Sequence, residues 1–466
     1  MERTSNAPHA RPRLPSLELL APIQTVNQDC NHAGLLAIQG RLLEALLGFG
    51  IAAQPGDISK GPTVTRYEFY LDKGVRMQKV LPLRRELSLA SCSEDVFILA
   101  PVPGKQTIGI DVANTQRAQV TFREVIDSPQ WNETAALIPV ALGKEGCGQV
   151  IIEDLAEMQH LLIGGTNGSG KSVCIASIVA SILYRFTPFE CRLLLFDQRT
   201  PIGCYDDLPH LILPTIKTSE NANRALLWLL KEMVARFDIF AKVGARNIAS
   251  FNRLMGPMSY IVVIIDELAD FMPSRSAEME TSIAFLSNRA HEAGIHLVVT
   301  TALLKGTLLT AKLLQCFPAR VSLRVRSKTE SRLLLNDESA ELLTGDGDFL
   351  YSSGHTQSLC RVQGAFITDD EMDRVVEFVV SQAPFASEAE AEDADTEDQQ
   401  AISAEEEELV QQCLAIMREE KRASVSLFQR RLRLGYTQAA TITRILEDRG
   451  YLAPAEGARP REILRF

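Results

Sequence analysis

Residues 160–186 read HLLIGGTNGSGKSVCIASIVASILYRF, and this stretch decides the fold. An apolar run leads into the segment from Gly165 to Ser172, which fits the pattern G-x-x-x-x-G-K-[ST] at every fixed position. An apolar helical pattern follows directly, so the segment lies between a predicted strand and a predicted helix. Glycines in such a loop let backbone N–H groups surround phosphates, and the N-terminus of the helix adds a favourable dipole. The stretch therefore predicts a P-loop nucleotide-binding domain.

All residues of this segment are predicted to bind the nucleotide: Gly165, Thr166, Asn167, Gly168, Ser169, Gly170, Lys171 and Ser172. We expect Lys171 to reach the β- and γ-phosphates of ATP, and the Ser172 hydroxyl to bind Mg²⁺. The alternative is a glycine-rich turn of chance composition. The predicted strand before the segment and the helix after it disfavour that alternative.

A second apolar run, YIVVIID at 260–266, ends in a pair of carboxylates. Because α/β sheets bind ligands at the carboxyl ends of their strands, we expect Asp266 and Glu267 to face the phosphates. Asp266 is predicted to hold Mg²⁺ through water and Glu267 to polarise the attacking water; with Lys171 they are the predicted catalytic residues. Adjacent Asp and Glu favour hydrolysis that drives motion over a kinase, which needs a separate acceptor pocket. An acidic pair that merely opens a loop is the alternative.

The remaining strand patterns define the architecture. Five predicted strands alternate with helical patterns: HLLIGG (160–165), CRLLLFD (191–197), YIVVIID (260–266), HLVVTT (296–301) and ARVSLRV (319–325). Most are continuous apolar runs, which indicates a doubly wound α/β domain with a parallel sheet covered on both faces. Upstream, three shorter runs separated by Gly/Pro turns predict a small α+β domain: TVTRYEFYL (63–71), DVFILAPV (95–102) and TIGIDV (107–112).

Composition bounds the class of protein. A chain of 466 residues is too long for one ordinary domain. Its nine cysteines form no C-x-x-C pair, which predicts a reducing compartment without disulfides or a zinc site. No stretch approaches the roughly 20 apolar residues that span a bilayer, and the N-terminus lacks the apolar core of a signal peptide. The expectation is a cytoplasmic protein with no membrane span in this chain.

The net charge of −11 is concentrated in one segment. Residues 386–408 contain eleven acidic residues and no basic one, so the rest of the chain is neutral in sum. Such a run predicts a solvated linker. Residues 409–466 carry eleven Lys or Arg against six acidic residues, so the acidic run conceals a basic C-terminal module.

With these motifs in place, the chain resembles the FtsK/SpoIIIE family of hexameric DNA translocases. The resemblance is carried by LPSLELL (14–20), GPTVTRYEF (61–69), HLLIGGTNGSGKS (160–172), GARNIASFN (244–252), YIVVIIDELADF (260–271), AGIHLVVTT (293–301), SKTESR (327–332), GDGDFLY (345–351) and QRRLRLGYTQAATIT (429–443). It implies a homo-hexameric ring around double-stranded DNA, with ATP at subunit interfaces, serving chromosome segregation and cell division. A site-specific recombinase is a candidate partner.

The resemblance also names the domains. We expect a disordered N-terminus over 1–18, an α domain over 19–150 and a RecA-like P-loop ATPase (β) domain over 151–384. An acidic linker over 385–408 and a winged-helix DNA-binding γ domain over 409–466 follow. The γ domain is predicted independently as three short helices and a two-stranded wing. A helical protein-interaction module is the alternative, since this geometry alone does not establish contact with DNA.

The predicted DNA contacts lie in two places. Basic positions of the family's pore loop are kept as Lys328 and Arg332. In the γ domain, Arg430, Arg431 and Arg433 suit phosphate anchoring, and Gln438 lies at the start of the reading helix. The family has asparagine and arginines at this start. Because glutamine prefers adenine where arginine prefers guanine, we expect a different loading sequence.

The chain departs from the family at three sites. The arginine thought to act across the subunit interface is replaced by His291, with Arg289 nearby. The family's TQRP is TALL at 301–304, so the glutamine that senses the γ-phosphate is replaced by alanine, and the family's DPK is DQR at 197–199. These departures keep a second function open, an ATP-binding DNA clamp or regulatory paralogue with weak hydrolysis. A third, a secretion or conjugation coupling ATPase, is disfavoured because a pump of protein substrates has no evident need for a winged helix.

Overall fold

The computed structural model describes residues 12–23, 32–93, 96–102, 104–115, 117–198, 205–272, 277–354 and 359–382. Six further positions are described singly: Cys413, Leu414, Met417, Arg431, Leu446 and Tyr451. The chain divides into two compact units, Met1–Ala383 and Pro384–Phe466. The elements below all belong to the first unit.

The strands are β1 Ala53–Lys60, β2 Val64–Leu71, β3 Val96–Leu99, β4 Ile108–Ala113, β5 Pro139–Glu145, β6 Val150–Asp154, β7 Leu161–Gly164, β8 Cys191–Phe196, β9 Tyr260–Ile265, β10 Ile295–Thr301, β11 Ala319–Leu323, β12 Asp348–Ser352 and β13 Cys360–Gly364. The α-helices are α1 His32–Gly48, α2 Arg84–Ser91, α3 Phe122–Ile126, α4 Pro129–Asn132, α5 Leu155–Met158, α6 Lys171–Arg185, α7 Ser219–Val243, α8 Ile248–Met255, α9 Leu268–Phe271, α10 Ala277–Arg289, α11 Ala311–Gln315, α12 Lys328–Leu335 and α13 Asp369–Ser381.

The larger sheet has nine strands in the order β6-β5-β13-β12-β11-β7-β10-β9-β8. The five strands from β11 to β8 are parallel, as their apolar runs predicted. Every residue of β7, β9 and β10 is buried. Side chains alternate between two cores: Leu161 and Ile163 of β7 pack on the face that α6 covers, and Leu162 packs on the face that α7 and α10 cover. The predicted doubly wound α/β domain is confirmed.

Four antiparallel strands extend this sheet beyond β11, and the sequence analysis missed them. Two of them, β5 and β6, span 139–154, most of which was assigned to the domain ending at residue 150. That boundary is wrong, because these strands pair with β13 of the larger sheet. Every residue of β6 is only half-buried, and its apolar run at 150–152 is too short to identify a covered strand.

The N-terminal part forms a second sheet of four antiparallel strands, in the order β1-β2-β4-β3. Its core is separate and includes Leu42 and Leu46 of α1 with Phe69 and Ile110 of the sheet. The predicted small α+β domain is therefore confirmed. A buried ion pair links the two sheets, because Arg66 of β2 lies 2.9 Å from Glu145 of β5.

Disorder was predicted for residues 1–18, and for the last of these it is wrong. Residues 17–19 form one turn of 3₁₀-helix, and Leu20 is buried in the core of the larger domain. Arg374 donates to the Leu19 carbonyl at 2.9 Å, and Tyr184 donates to the Ser16 carbonyl at 3.2 Å. Backbone groups that bond to folded side chains are held in place, which the Pro- and Arg-rich composition concealed.

The predicted acidic linker lies outside the described residues, and so do Arg430, Arg433 and Gln438. Of the predicted γ domain, Cys413, Leu414, Met417 and Leu446 are buried, whereas Arg431 is exposed. Among the residues that the structure describes, no helix is both long enough and apolar enough to cross a membrane.

Candidate active site

Residues 165–170 form the loop between β7 and α6, and Lys171 and Ser172 are the first two residues of α6, as the strand–loop–helix pattern predicted. Two glycines of this loop have the positive φ that other residues rarely adopt, 76° at Gly168 and 111° at Gly170. Gly165 is required for space, since a Cβ there would lie 2.8 Å from the Cβ of Leu323. Each fixed glycine of the motif therefore has a steric reason in this fold.

The Lys171 side chain folds back over this loop. Its Nζ donates to the Gly165 carbonyl at 2.9 Å and to the Thr166 carbonyl at 3.1 Å. Lys171 is buried, with 9% of its surface exposed, and it opens α6. Ser172, the next residue, is exposed at the first turn of the helix. The ammonium group is thus centred on the loop that the sequence assigns to phosphates, and the hydroxyl is accessible to an ion.

Strand β10 lies between the P-loop strand β7 and the carboxylate strand β9. Its last residue, Thr301, is paired with Gly164, and the Thr301 carbonyl accepts from the Gly165 N–H at 3.3 Å. Ala302 therefore follows directly beside the phosphate-binding loop.

The carboxylates of Asp266 and Glu267 are both anchored to the end of β10. Asp266 Oδ1 accepts from the Thr300 hydroxyl at 2.6 Å. Glu267, which is 5% exposed and has a φ of 54°, accepts from the Thr301 hydroxyl at 2.9 Å and from the Ala302 N–H at 2.8 Å. The predicted catalytic pair therefore lies at the same edge of the sheet as the phosphate-binding loop.

The electrostatics of Asp266 indicate a place for a cation. Burial raises the pKa of Asp266 above its ordinary value, and the negative charges of Asp197 and Glu267 raise it further, against the hydrogen bond from Thr300 and the charge of Lys171. A bound cation would offset that repulsion. The described residues contain no group of three or more side chains of the His, Cys, Asp or Glu type placed to hold a metal by themselves. Asp266 and Ser172 offer a carboxylate and a hydroxyl oxygen, which are donor types that Mg²⁺ takes from a protein when waters and substrate phosphates complete its coordination.

A cavity of about 330 Å³ opens beside Gly168 and Gly170. Val173, Ile178 and Phe366 give it apolar walls. Its polar lining residues are Gln119, Asp346 and Gln363. The sequence analysis did not find these residues, because they come from separate loops and strands that only the fold brings together.

The two residues considered for the subunit interface both contact their own domain. The Arg289 guanidinium stacks over the ring of Phe237 at 4.2 Å and pairs with Glu292 at 3.0 Å. His291 is half-buried, and its ring meets that of His160 edge-on with centroids 6.3 Å apart. Arg289 nevertheless keeps 61% of its side-chain surface exposed, whereas His291 is half-buried.

The predicted pore-loop cations, Lys328 and Arg332, lie on α12 and are exposed. Both face one carboxylate: Lys328 Nζ lies 2.9 Å from Glu338, and Arg332 pairs with the same group. This shared partner was not predicted from the sequence.

Three sequence profiles match the chain: the FtsK/SpoIIIE family over residues 121–306, the FtsK alpha domain over 14–114 and the FtsK gamma domain over 404–465. The DNA translocase FtsK of Halalkalibacterium halodurans is 38% identical over 99% of this chain and 60% of its own length. The DNA translocase SpoIIIE of Bacillus subtilis is 36% identical over 97% of this chain and 59% of its own length. The chain thus spans about three-fifths of the length of these relatives.

Among solved structures, the monomer form of the pCW3 conjugation coupling protein TcpA with ATPγS has a TM-score of 0.51 at 17% identity. It is covered over 99% of its length and matches 73% of this chain, a likeness that shows the fold. The P-loop, the carboxylate pair and the strand between them define a P-loop ATPase of RecA-like architecture. With the three profiles and the relatives, the chain belongs to the FtsK/SpoIIIE family.

Proposed function

We propose that this protein is an ATP-dependent translocase of double-stranded DNA that acts in chromosome segregation and cell division. The observation that carries the proposal is the placement of Lys171, Asp266 and Glu267 at one edge of the sheet in a chain whose relatives are named DNA translocases. Positioning and electrostatic stabilisation are what phosphoryl transfer to water requires, and these residue types supply both.

In this proposal the phosphates of ATP lie in the loop from Gly165 to Ser172, where the Lys171 ammonium exchanges the loop carbonyls for phosphate oxygens. Ser172 and Asp266 hold Mg²⁺, which neutralises phosphate charge when bound. Glu267 orients and polarises the attacking water. The cavity beside Gly168 has the size and mixed apolar and polar lining suited to a nucleoside.

We further propose a homo-hexameric ring around DNA on the cytoplasmic side, with ATP at subunit interfaces. The family supports this assembly, and a site-specific recombinase is its candidate partner. Lys328 and Arg332 would contact DNA phosphates after leaving Glu338. Arg430, Arg431, Arg433 and Gln438 of the predicted γ domain would direct loading.

Measurement of ATP hydrolysis with and without long duplex DNA tests the proposal. We expect strong stimulation by duplex DNA in the wild type and loss of turnover in Glu267→Gln, because that variant keeps the side-chain shape and removes the carboxylate charge. Equal turnover in the two proteins would rule out Glu267 as the group that polarises water.

A second candidate, an ATP-binding DNA clamp with weak hydrolysis, is favoured by one observation. Position 302 carries only a methyl group beside the P-loop, and the His291 ring packs against its own domain. In that case ATP and DNA would bind with ordinary affinity, while DNA would leave the slow hydrolysis unchanged.

A further inference from the structure

Two consecutive threonines end strand β10, and neither has a role in the motifs of the P-loop or of the carboxylate pair. Thr300 and Thr301 are completely buried. Each hydroxyl contacts one carboxylate of the pair that follows β9: Thr300 lies 2.6 Å from Asp266, and Thr301 lies 2.9 Å from Glu267. The two contacts are parallel but reach different carboxylates.

The direction of each hydrogen bond is fixed by its neighbours. A threonine hydroxyl has one proton to donate and two lone pairs. The Thr300 oxygen accepts from the Glu267 N–H at 3.0 Å, so its proton is available for Asp266. The Thr301 oxygen accepts from the Leu303 N–H at 3.1 Å, so its proton is available for Glu267. Each hydroxyl is therefore oriented as a donor toward a carboxylate.

Thr301 also connects the carboxylate to the phosphate-binding loop. Its carbonyl accepts from the Gly165 N–H at 3.3 Å while its hydroxyl holds Glu267. The Ala302 N–H donates to the same carboxylate at 2.8 Å. A carboxylate offers about four acceptor positions, so these bonds fix the orientation of Glu267 and leave acceptor capacity for a water.

Thr300 performs a different task. It holds Asp266 through its hydroxyl proton and, through its oxygen, the backbone N–H of Glu267. Glu267 has a φ of 54°, a conformation that a residue with a Cβ adopts only when its surroundings stabilise it. The Thr300 oxygen supplies one such contact, and it fixes the turn at which the two carboxylates diverge.

We propose that Thr300 and Thr301 are positioning residues. Thr300 orients the Asp266 carboxylate, which would hold Mg²⁺, and Thr301 orients the Glu267 carboxylate, which would polarise water. The proposal rests on the proposed ATPase function. Partners that orient a metal ligand or a catalytic group typically contribute 10–100-fold to metal affinity or activity. Removing the Thr301 hydroxyl should therefore lower mainly kcat, and removing the Thr300 hydroxyl should raise mainly the Mg²⁺ concentration needed for half-maximal activity.

Thr300→Val and Thr301→Val remove the hydroxyls and keep the shape of the side chains. We expect Thr301→Val to lower kcat by about 10–100-fold with the Mg²⁺ concentration for half-maximal activity unchanged. We expect Thr300→Val to raise that Mg²⁺ concentration by about 10-fold or more, with most of kcat regained at saturating Mg²⁺. Thr300→Ser and Thr301→Ser keep the hydroxyl, so both kcat and the Mg²⁺ concentration for half-maximal activity should stay near their wild-type values.

Ser322→Ala is the matched control. Ser322 is a fully buried hydroxyl on β11, on the other side of β7, and it donates to the Leu323 carbonyl at 3.1 Å. Loss of the Ser322 hydroxyl should change the melting temperature, but it should not change kcat or the Mg²⁺ concentration for half-maximal activity selectively. Melting curves of all variants identify any that fail to fold; for such a position the alanine variant, which also removes the hydroxyl, is compared with the serine variant, which keeps it.

Mg²⁺-dependent binding of a fluorescent ATP analogue separates this proposal from the proposed function. If the wild type binds nucleotide but does not hydrolyse it, the ATPase proposal fails, while weaker Mg²⁺-dependent binding in Thr300→Val alone still supports the assignment of Thr300. The positioning proposal is overturned if both valine variants change the same quantity, or if serine is as damaging as valine.

Discussion

Replacing Ala302 with glutamine tests whether a missing side-chain amide limits hydrolysis. Ala302 follows Thr301 at the end of β10, and Thr301 is paired with Gly164 at the end of β7. Neighbouring strands lie about 4.8 Å apart, a distance that a glutamine side chain spans. An amide at this position would therefore reach the phosphates held by the loop after β7, where the alanine methyl offers no donor.

The size of the effect follows from what the substitution leaves in place. The Ala302 N–H holds Glu267 at 2.8 Å, and this bond persists because it does not use the side chain. The gain comes from the new amide alone. Removing one donor that acts directly on a transition state costs on the order of 10²–10³ in rate. Leucines at 303 and 304 leave the loop without further polar side chains beside the new amide, so we expect only part of this rate factor. The expected gain is about a tenfold rise in kcat, or ~1.4 kcal/mol of activation free energy.

The assay is steady-state ATP hydrolysis at saturating duplex DNA. Ala302→Met is the matched control, because methionine has similar length and no amide; it should leave kcat unchanged. Adding His291→Arg to Ala302→Gln should raise turnover further. A wild type as fast as relatives that carry the glutamine and the arginine, with the double variant no faster, would refute the reasoning.

Three further predictions concern nucleotide, DNA and pH. Lys171→Ala should abolish productive ATP binding, because it removes the positive charge that contacts the β- and γ-phosphates; unchanged affinity in a nucleotide titration would contradict the assignment of Lys171. Glu338→Gln should tighten binding of the protein to duplex DNA and steepen its salt dependence, because Lys328 and Arg332 lose their shared carboxylate; an unchanged salt slope would exclude α12 from the DNA contacts. Burial lowers the pKa of His160 to about 3 and of His296 to about 4, below the unfolded value of 6.5, so stability is lost as the pH falls below about 6.5. At pH 5 each accounts for about 2 kcal/mol, and His296→Gln should reduce the drop in melting temperature between pH 7 and pH 5; an equal drop in both proteins would contradict this.

The sequence predicted the parallel part of the sheet and the P-loop because both depend on local patterns. Continuous apolar runs mark strands buried on both faces, and β9 starts at Tyr260, where its apolar run began. The positive φ angles of Gly168 and Gly170 belong to the loop itself, so they need no knowledge of distant contacts. The parallel strand type and the location of Asp266 at a strand's carboxyl end follow from these patterns with the general rules of α/β sheets.

The rest depends on contacts between distant residues. Strand β6 is half-buried throughout, and its apolar run covers only 150–152, which is too short to identify a covered strand. Thr300 and Thr301 have the residue type of ordinary strand positions, and only the order β7-β10-β9 places their hydroxyls on the carboxylates. The pairing of Lys328 and Arg332 with Glu338 depends on a turn after α12 that no periodicity indicates.

If ATP hydrolysis at Glu267 drives movement along duplex DNA, the moving protein should displace a triplex-forming oligonucleotide from a linear duplex. The wild type should displace the oligonucleotide only with ATP and Mg²⁺, after a delay that grows with the distance between the oligonucleotide and the DNA end. Glu267→Gln should bind the same DNA and ATP and displace nothing. Absence of displacement by a wild type that binds both ligands would contradict the account and support the clamp.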